Sequence, residues 1–350
     1  MSGLRVLVLT ADYPPRVWSG IGVAVARQAR ALAALGAEVV VAAAGVPASS
    51  ARRRLRVVPL TGDRFPVDPR RFDVVHLHSL ALTELAFELC ARFRLPLVYT
   101  AHTLPSRELP EGPARDLWTG VQDRVLAASR RVVFLCESDR EAAVRRVPAL
   151  GRSGRVIPHG VAPPPRRRRR SAGGPLLFAG RFAASKGIDV LARAMPRVLA
   201  RRPDSIVLAG GHGDPAGERQ VARLAAALPG RCRVLGWQSA AGVERLLRRA
   251  SLLLVPSRYE PFGLIALEAM RLGTPVLAAE VGGLTEVAAP GSGARLVRGH
   301  DAGRWADAAL ELLGDPAARR RLSRDGPRWV AERYAAPALA RRLIGEAYAA

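Results

Sequence analysis

Residues 176–201 read LLFAGRFAASKGIDVLARAMPRVLAR and contain one complete strand–loop–helix unit. The apolar run Leu176–Gly180 is typical of a strand that is buried on both faces, and Lys186–Arg201 repeats its apolar residues at helical spacing. The short loop between the two elements carries two cations, Arg181 and Lys186. A buried strand that leads directly into a helix is the repeating unit of parallel α/β sheets, so this stretch predicts that fold class.

The same alternation of strand and helix runs along both halves of the chain. Further predicted helices are Gly22–Leu35 and Leu80–Phe93 in the first half and Leu264–Leu272 in the second half. The other predicted strands are Leu4–Leu9, Glu38–Ala43, Val74–Leu77, Pro96–Thr100, Val132–Leu135, Ser205–Gly210, Arg233–Gly236, Leu252–Pro256 and Pro275–Ala279. This pattern predicts an α/β protein with two Rossmann-like, doubly wound domains that face each other across a cleft.

The length of 350 residues suits two domains, with a linker in the middle of the chain. The expected domains are 1–163 and 175–335, joined by a Pro-, Arg- and Gly-rich linker at 164–174, and residues 336–350 form a final helix. The linker contains five consecutive arginines, Arg166–Arg170, which cannot enter an apolar core. We interpret this run as a solvated linker, and a second reading gives it peripheral contact with anionic membrane or a charged acceptor.

The apolar runs and the cysteines predict a cytoplasmic location and argue against a membrane-spanning or a disulfide-stabilised protein. The apolar run Val39–Val46 is far shorter than the roughly 20 residues that span a bilayer, and no signal peptide is recognisable at the start. The three cysteines, Cys90, Cys136 and Cys232, lie too far apart in sequence for a disulfide framework or a short-spaced metal site. We therefore expect a cytoplasmic protein, with the peripheral membrane contact as the alternative.

The net charge of +24 favours anionic partners in general. Aromatic residues make up only 5% of the chain and do not alternate with basic residues, so we expect no specific nucleic-acid binding. All basic residues except Lys186 are arginine, which points to a compositional bias in the coding sequence. A lysine that persists against such a bias is a candidate for a specific role.

The most informative motif lies in residues 255–270, VPSRYEPFGLIALEAM. Glu260 precedes a Pro-Phe-Gly turn, and Gly263 leaves the first amides of the following helix uncovered, which suits an anion. Glu268 lies inside that helix among apolar neighbours, where a carboxylate is costly unless it is paired or bonded to a ligand. The two glutamates could therefore bind two groups of one extended polar ligand, while Arg181 and Lys186 suit a diphosphate.

The first loop, residues 11–22, carries weaker evidence. Gly20 and Gly22 would let a ligand approach the N-terminus of the first helix. The glycines lie about ten residues too late for the G-x-G-x-x-G fingerprint of a dinucleotide-binding dehydrogenase, and Val25 stands at its third glycine. A plain turn and a ligand site fit this loop equally well, and the dehydrogenase class is disfavoured.

Four histidines stand near strand ends in the first half. His102 ends a predicted strand and is the candidate for a substrate contact. His76 and His78 share one strand, where a position in the core or in the wall of the cleft is favoured over a metal pair because no acidic or cysteine partner is nearby. The role of His159 is open. Because the chain has no G-x-S-x-G, P-loop or D-x-D motif, we expect no metal and no cofactor beyond a substrate.

These motifs resemble the retaining glycosyltransferases of family 4, which have the GT-B fold. The similarity runs nearly from end to end and is most specific at the two glutamates, Glu260 and Glu268, with seven residues between them. Other matching segments are Gly180-Arg181, Lys186-Gly187, Gly273 to Glu286, Tyr13 to Gly22, Asp73 to His76, His102 and Val156 to Val161.

The resemblance implies a role for each of these residues. Arg181 and Lys186 would stabilise the departing nucleoside diphosphate. Glu260 would hold the donor sugar, Glu268 would bond the ribose hydroxyls, and His102 would touch the donor sugar.

The resemblance also implies backbone contacts to the donor. The amides of Phe262, Gly263 and Leu264 would bind donor sugar and diphosphate. Gly20 and Gly22 would approach the donor from the first loop. The final helix, 336–350, would cross back onto the first domain.

Some residues depart from the family pattern. His159 stands where asparagine is frequent, and Pro290–Gly293 replaces a commoner turn. The first loop is similar to those of bacterial glycogen synthases, but Trp18-Ser19 replaces their usual residues. These departures bear on donor and acceptor preference.

The motifs and the resemblance together imply a retaining glycosyltransferase that moves a sugar from a nucleoside diphosphate sugar without a metal. The acceptor is left open as a lipid-linked glycan, a polysaccharide or a small molecule. A glucan or glycogen-type synthase is one alternative. A sugar-nucleotide epimerase or a phosphorylase of the same fold is an alternative of another class.

Overall fold

The computed structural model describes residues 3–15, 17, 19–60, 65–165, 173–211 and 213–349. The chain divides into two compact units, one formed by residues 1–162 with 334–350 and the other by residues 163–333. The polypeptide therefore passes from the first unit to the second near residue 162 and returns near residue 333. Of the expected linker, the arginine run Arg166–Arg170 lies outside the described residues.

The first unit is built on one eight-stranded sheet. Its strands are β1 (Arg5–Thr10), β2 (Glu38–Ala43), β3 (Ser50–Arg52), β4 (Leu55–Pro59), β5 (Val74–Leu77), β6 (Leu97–Ala101), β7 (Arg131–Phe134) and β8 (Gly154–Val156). They lie in the order β3-β4-β2-β1-β5-β6-β7-β8, and only the β3–β4 pair is antiparallel. The five strands predicted in this half are all present.

Helices cover both faces of this sheet. They are α1 (Gly20–Ala34), α2 (Thr83–Phe93), α3 (Pro105–Glu108), α4 (Pro113–Ala128), α5 (Glu137–Arg146) and α6 (Leu150–Ser153). Alternate residues of β1 point to opposite faces, so Val6 and Val8 enter one apolar cluster while Leu7 and Leu9 enter another. Burial on both faces explains the continuous apolar runs in the sequence.

The second unit contains a six-stranded, fully parallel sheet. Its strands are β9 (Leu176–Gly180), β10 (Ile206–Gly210), β11 (Cys232–Leu235), β12 (Leu252–Val255), β13 (Val276–Ala279) and β14 (Ala294–Val297), in the order β11-β10-β9-β12-β13-β14. Its helices are α7 (Ile188–Arg201), α8 (Pro215–Ala227), α9 (Ala240–Arg249), α10 (Leu264–Arg271), α11 (Leu284–Val287), α12 (Ala302–Gly314) and α13 (Pro316–Arg333). The prediction of two doubly wound α/β domains is confirmed in both units.

The direction of strand order reverses once in each sheet. From β9 the chain proceeds outward to β10 and β11, and it then returns to place β12 on the other side of β9. In the first sheet the same reversal separates β1 from β5. Loops that leave two adjacent parallel strands in opposite directions open a crevice at their carboxyl ends, and ligands of such sheets bind there.

The end of the chain packs in the first unit. Helix α14 (Ala336–Leu343) continues into a π-helical turn, Ile344–Tyr348, and both contribute side chains to the apolar cluster that contains Val6 and Val8. Val161 pairs with Ala335 as an isolated bridge beside this segment. No helix of the described ranges combines the length and the apolar character needed to cross a membrane.

The structure also differs from the sequence predictions in detail. The helix predicted from Lys186 begins at Ile188, because Gly187 adopts a left-handed conformation with φ +70° and a 3₁₀ turn precedes it. Strands β3, β4, β8 and β14 were not predicted, since each is short and carries arginine, which hides the apolar pattern.

Gly160 provides a test of how the end of the chain packs. A Cβ at this position would overlap the Cα of Ala336, whereas a Cβ at Gly151 would meet open space. We expect Gly160→Ala to lower the free energy of unfolding by about 1–3 kcal/mol, the usual cost of overpacking. Gly151→Ala is the matched control and should stay within about 1 kcal/mol of the parent. Urea unfolding measures both, and equal stability of the two variants would contradict this packing.

Candidate functional site

The loops that follow β9 and β12 meet at the reversal point of the second sheet. Lys186, in the loop after β9, places its Nζ 2.9 Å from Oε2 of Glu260, in the loop after β12. Only 20% of the Lys186 side chain and 14% of the Glu260 side chain are exposed. Arg181 directly follows the last residue of β9 at the same edge of the sheet. The structure thus brings Lys186 and Glu260 together and places Arg181 at the start of the loop that carries Lys186.

Glycine at position 187 allows these two loops to approach. Its left-handed φ is poorly tolerated by other residues, and a Cβ there would overlap the carbonyl oxygen of Pro256. The backbone amide of Arg258 also donates to the carbonyl of Ser185 at 2.8 Å. Lys186 is therefore held between two points at which the loops touch.

A second ion pair joins the start of α7 to the loop after β12. The guanidinium of Arg258 donates to both carboxylate oxygens of Asp189, at 2.6 and 2.8 Å, and to the carbonyl of Ala184 at 2.8 Å. Burial of Asp189 opposes its ionisation, but hydrogen bonds and charge from Arg258 and Arg193 outweigh it and lower the pKa of this carboxyl. The sequence alone does not reveal this pair, because its one signal there is an acid in the first turn of a helix.

The turn before α10 presents backbone amides. Gly263, the residue that caps the helix, has φ +87° and has no side chain that could accept from the first amides. Phe262 before it is buried, and Leu264 begins the helix. The positive end of the helix dipole and its uncovered amides therefore lie just beyond Glu260, as the motif predicts.

The loop after β13 packs against the backbone of this turn. The amide of Gly283 donates to the carbonyl of Glu260 at 2.8 Å. A Cβ at Gly282 would overlap the same carbonyl, and one at Gly283 would overlap the carbonyl of Pro261. Two consecutive glycines are thus required because two backbones pack directly against each other.

Glu268 lies on α10 and is mostly buried, with 16% of its side chain exposed. Its Oε2 accepts a hydrogen bond of 2.9 Å from Nε of Arg271, one turn further along the same helix. The expectation that a buried carboxylate needs a partner is met by this arginine, which the sequence analysis missed.

The first loop of the first unit is filled by an acidic side chain of the protein itself. Oδ2 of Asp12 accepts from the Ser19 hydroxyl at 2.7 Å and from the Gly22 amide at 3.3 Å. A Cβ at Gly22 would lie 2.6 Å from Oδ1 of Asp12, while Gly20 is the first residue of α1. The carboxylate of Asp12 therefore occupies the helix terminus at which the sequence predicts a ligand phosphate, and donor binding by Gly20 and Gly22 stays a prediction.

Three histidines form a hydrogen-bonded row at the carboxyl ends of strands in the first unit. His102, directly after β6, contacts His78 through Nε2 at 2.9 Å and His159 through Nδ1 at 3.1 Å. Both ring nitrogens of His102 are therefore occupied, so a contact of this ring with a sugar would have to replace one of these bonds. Among the described residues, Nε2 of His78 has no hydrogen-bond partner.

His76 lies behind this row, with its ring 4.1 Å from that of His78. Its Nδ1 is 2.6 Å from the Tyr348 hydroxyl and its Nε2 is 2.7 Å from Thr100 Oγ1. Tyr348 comes from the π-helical turn, so the end of the chain is bonded to β5, the strand that carries His76. Both residues are buried, with 0% of His76 and 4% of His78 exposed, and their core or cleft-wall position stays a prediction.

Burial keeps all four imidazoles neutral. It lowers the pKa of His76 and of His159 to about 3, and it lowers the pKa of His78 and of His102 well below the usual range. A neutral imidazole has one donor and one acceptor nitrogen. The row His78–His102–His159 therefore has all its N–H donors pointing in the same direction. Within the described ranges, no group of three or more His, Cys, Asp or Glu is arranged to hold a metal ion.

Two family models match the chain. The model described as glycosyl transferases group 1 matches residues 174–315, and the model described as glycosyltransferase family 4 matches residues 18–163. The two matched segments contain every predicted site residue, so they agree with the resemblance that the motifs carry.

Similar proteins and structures point in the same direction. A D-inositol 3-phosphate glycosyltransferase of Nocardia farcinica is 36% identical over 287 residues, which cover 75% of this chain and 63% of the relative. The chain therefore spans less than two thirds of that relative. Sucrose-phosphate synthase from Thermosynechococcus elongatus is 25% identical, with a TM-score of 0.81 and 98% of each chain covered. HepE of Anabaena in complex with UDP and glucose, 16% identical with a TM-score of 0.78 over 99% of this chain and 100% of its own, is a likeness of fold alone.

The histidine cluster predicts a pH dependence of stability. An unfolded chain protonates these imidazoles near their ordinary pKa of 6.5, whereas the folded chain does not until far lower pH, so the unfolded state binds more protons in between. The free energy of unfolding should fall as the pH drops below about 6.5, by up to about 1.4 kcal/mol per pH unit for each histidine.

Urea unfolding between about pH 7 and pH 5 measures this slope before most carboxylates titrate. His159→Asn removes one of the titrating groups and should make the slope shallower. A stability that does not change over this range in the parent protein would contradict the neutral cluster.

Proposed function

The chain belongs to the family 4 glycosyltransferases of glycosyl transferases group 1, and from this premise we propose that it transfers a sugar from a nucleoside diphosphate sugar to an acceptor. The observation that carries the proposal is the Lys186–Glu260 pair beside the uncovered amides of α10, at the reversal point of the second sheet. A cation and a helix N-terminus suit the diphosphate of a nucleotide sugar, and a carboxylate can accept hydrogen bonds from its sugar hydroxyls. They come together where parallel sheets bind ligands.

The positive groups would act on the leaving diphosphate. When the anomeric carbon–oxygen bond breaks, negative charge accumulates on the phosphate oxygens, and groups already aimed at that charge lower the barrier. Lys186, Arg181 and the amides of Phe262, Gly263 and Leu264 would supply this stabilisation. Because Lys186 is held between touching loops, little reorganisation would be needed as the charge develops.

The acidic and neutral groups would hold the rest of the donor. Glu260 would accept hydrogen bonds from the sugar, with Lys186 keeping its charge balanced before the donor arrives. Glu268 would accept from the ribose hydroxyls. Donor contacts of His102, Gly20 and Gly22 stay predictions from the sequence motifs.

We propose that the transfer retains the anomeric configuration. The bond to the diphosphate would break through a loose, positively charged sugar. The oxygen of the acceptor hydroxyl would bond to the same face that the diphosphate leaves, and the hydroxyl proton would pass to the departing diphosphate. NMR of the anomeric proton of the purified glycoside tests this step. The anomeric configuration of the donor is expected in the product, and the opposite configuration would contradict retention.

The names of the relatives favour a phosphorylated small acceptor. One is called a D-inositol 3-phosphate glycosyltransferase and another a sucrose-phosphate synthase. The net charge of +24 would attract such an anion. Transfer to D-inositol 3-phosphate but not to unphosphorylated inositol would support this acceptor class, whereas transfer only to a glucan or to a lipid-linked glycan would replace it.

Product analysis separates the proposal from an epimerase or a phosphorylase. A panel of UDP-, ADP- and GDP-sugars is first screened by thermal shift, since a bound donor stabilises the folded state. With the donor that binds, a transferase forms a new glycoside and free nucleoside diphosphate. An altered nucleotide sugar or a sugar phosphate would show one of the other two activities.

Lys186 should be the cation on which turnover depends most. We expect Lys186→Ala to lower kcat by roughly 10²–10³-fold, the scale for losing one preorganised charge-stabilising group. Lys186→Arg should also be impaired, because a planar guanidinium does not fit the place of an ammonium. Arg328→Ala, an exposed cation of the same unit, is the control and should retain activity. Full activity of the Lys186→Arg variant would remove the case for the lysine.

The two glutamates should respond differently to loss of charge. Ribose hydroxyls are held alike before and during bond breaking, so Glu268→Gln should mainly raise the Kd of the nucleotide. Sugar contacts change as the bond breaks, so Glu260→Gln should mainly lower kcat. Equal changes of both constants in both variants would mean that these roles are wrongly assigned.

A further inference from the structure

We propose that Arg271 is a positioning residue that holds Glu268 in place for the ribose of the donor. The inference rests on the proposed function, because it assigns a supporting group to the ribose-binding carboxylate. Arg271 does not itself reach the nucleotide in this account. It acts through the one carboxylate oxygen that it binds.

The guanidinium of Arg271 uses its three nitrogens on three different parts of the second unit. Nε donates to Oε2 of Glu268 at 2.9 Å, and Nη2 donates to Oε2 of Glu244 at 2.7 Å. Nη1 lies 3.4 Å from the carbonyl oxygen of Pro163, near the point where the chain enters this unit. Helix α10, helix α9 and the entering segment are thus joined through one side chain.

The charges around Arg271 are balanced. Only 7% of its side chain is exposed, and it faces two carboxylates. Glu244 is also bonded to Arg248, through Nε at 3.1 Å and Nη2 at 2.6 Å. Burial opposes ionisation of Glu244, but the hydrogen bonds and charges of Arg248 and Arg271 outweigh it and lower its pKa. Two cations and two anions therefore form one chain, Arg248–Glu244–Arg271–Glu268, with Glu268 at its end.

Such a chain fixes both the charge and the direction of the Glu268 carboxylate. A glutamate has three rotatable bonds, and each bond that must be ordered on binding reduces affinity. Because Arg271 is itself anchored at two further points, it cannot follow Glu268 into other rotamers. An ammonium on a flexible stem could not bind all three partners in the same fork, so lysine should not replace this arginine.

The experiment compares two nucleotides on the full chain. Titration calorimetry gives the Kd of UDP and of 2′,3′-dideoxy-UDP, which lacks the ribose hydroxyls, for the parent and each variant. In Arg271→Lys the preference for UDP over the dideoxy compound should fall about tenfold, the scale of one hydrogen bond to a charged group. The Kd of the dideoxy compound should stay unchanged. Arg328→Lys, which alters an exposed arginine of the same unit outside this chain of charges, is the control and should keep the preference.

Two more variants separate positioning from general destabilisation. Glu244→Gln leaves Arg271 and Glu268 in place but removes one anchor, and it should lower the same preference by a smaller factor. In the double variant Glu268→Gln/Arg271→Lys, the second substitution should cause no further loss.

The outcomes distinguish failure of this inference from failure of the proposed function. An unchanged UDP preference in Arg271→Lys and Glu244→Gln, with a clear preference in the parent, overturns the role of Arg271 alone. Equal loss of both nucleotides shows a purely structural arginine and also overturns it. A parent protein that shows no preference for UDP over the dideoxy compound overturns the ribose role of Glu268, and with it this inference.

Discussion

The reversal of strand order between β9 and β12 is the constraint on which the rest of the site depends. Because the two strands are adjacent and their connections leave in opposite directions, their following loops meet at one edge of the sheet. Lys186 and Glu260 are 74 positions apart in sequence, yet they form an ion pair there. The glycine at 187 and the Gly282-Gly283 pair allow this meeting, since each lies where a side chain would overlap another backbone.

The first unit is organised by a different physical requirement. Four buried imidazoles have to stay neutral, and each has to find hydrogen-bond partners away from water. The row His78–His102–His159 and the two hydrogen bonds of His76, to Tyr348 and Thr100, meet this requirement. The exception among the described histidines is Nε2 of His78. The cluster also bonds the last residues of the chain to the middle of the first sheet, so the chain end and the histidine row form one structure.

The sequence was sufficient to predict the fold class, because buried parallel strands leave long apolar runs that alternate with amphipathic helices. It was also sufficient to predict that Lys186 and Glu260 follow strands and that Gly263 precedes a helix, as the structure shows. The sequence could not show which side chains form hydrogen bonds with these residues. Arg271 looks like an ordinary helix residue, and its three contacts become visible only when α9 and α10 are packed together. Strands such as β3 and β14 were missed because edge strands keep arginine on their exposed side and lose the apolar signal.

Amide hydrogen exchange in the presence and absence of UDP tests whether the donor binds at the loops after β9 and β12, because it locates the nucleotide without assuming an acceptor or a rate. Bound nucleotide should slow exchange in peptides that cover residues 181–190 and 260–268. No comparable change is expected in peptides that cover the first sheet. Slower exchange confined to the first unit, or no change at the loops after β9 and β12 under saturating UDP, ADP or GDP, would contradict the assignment of the donor site.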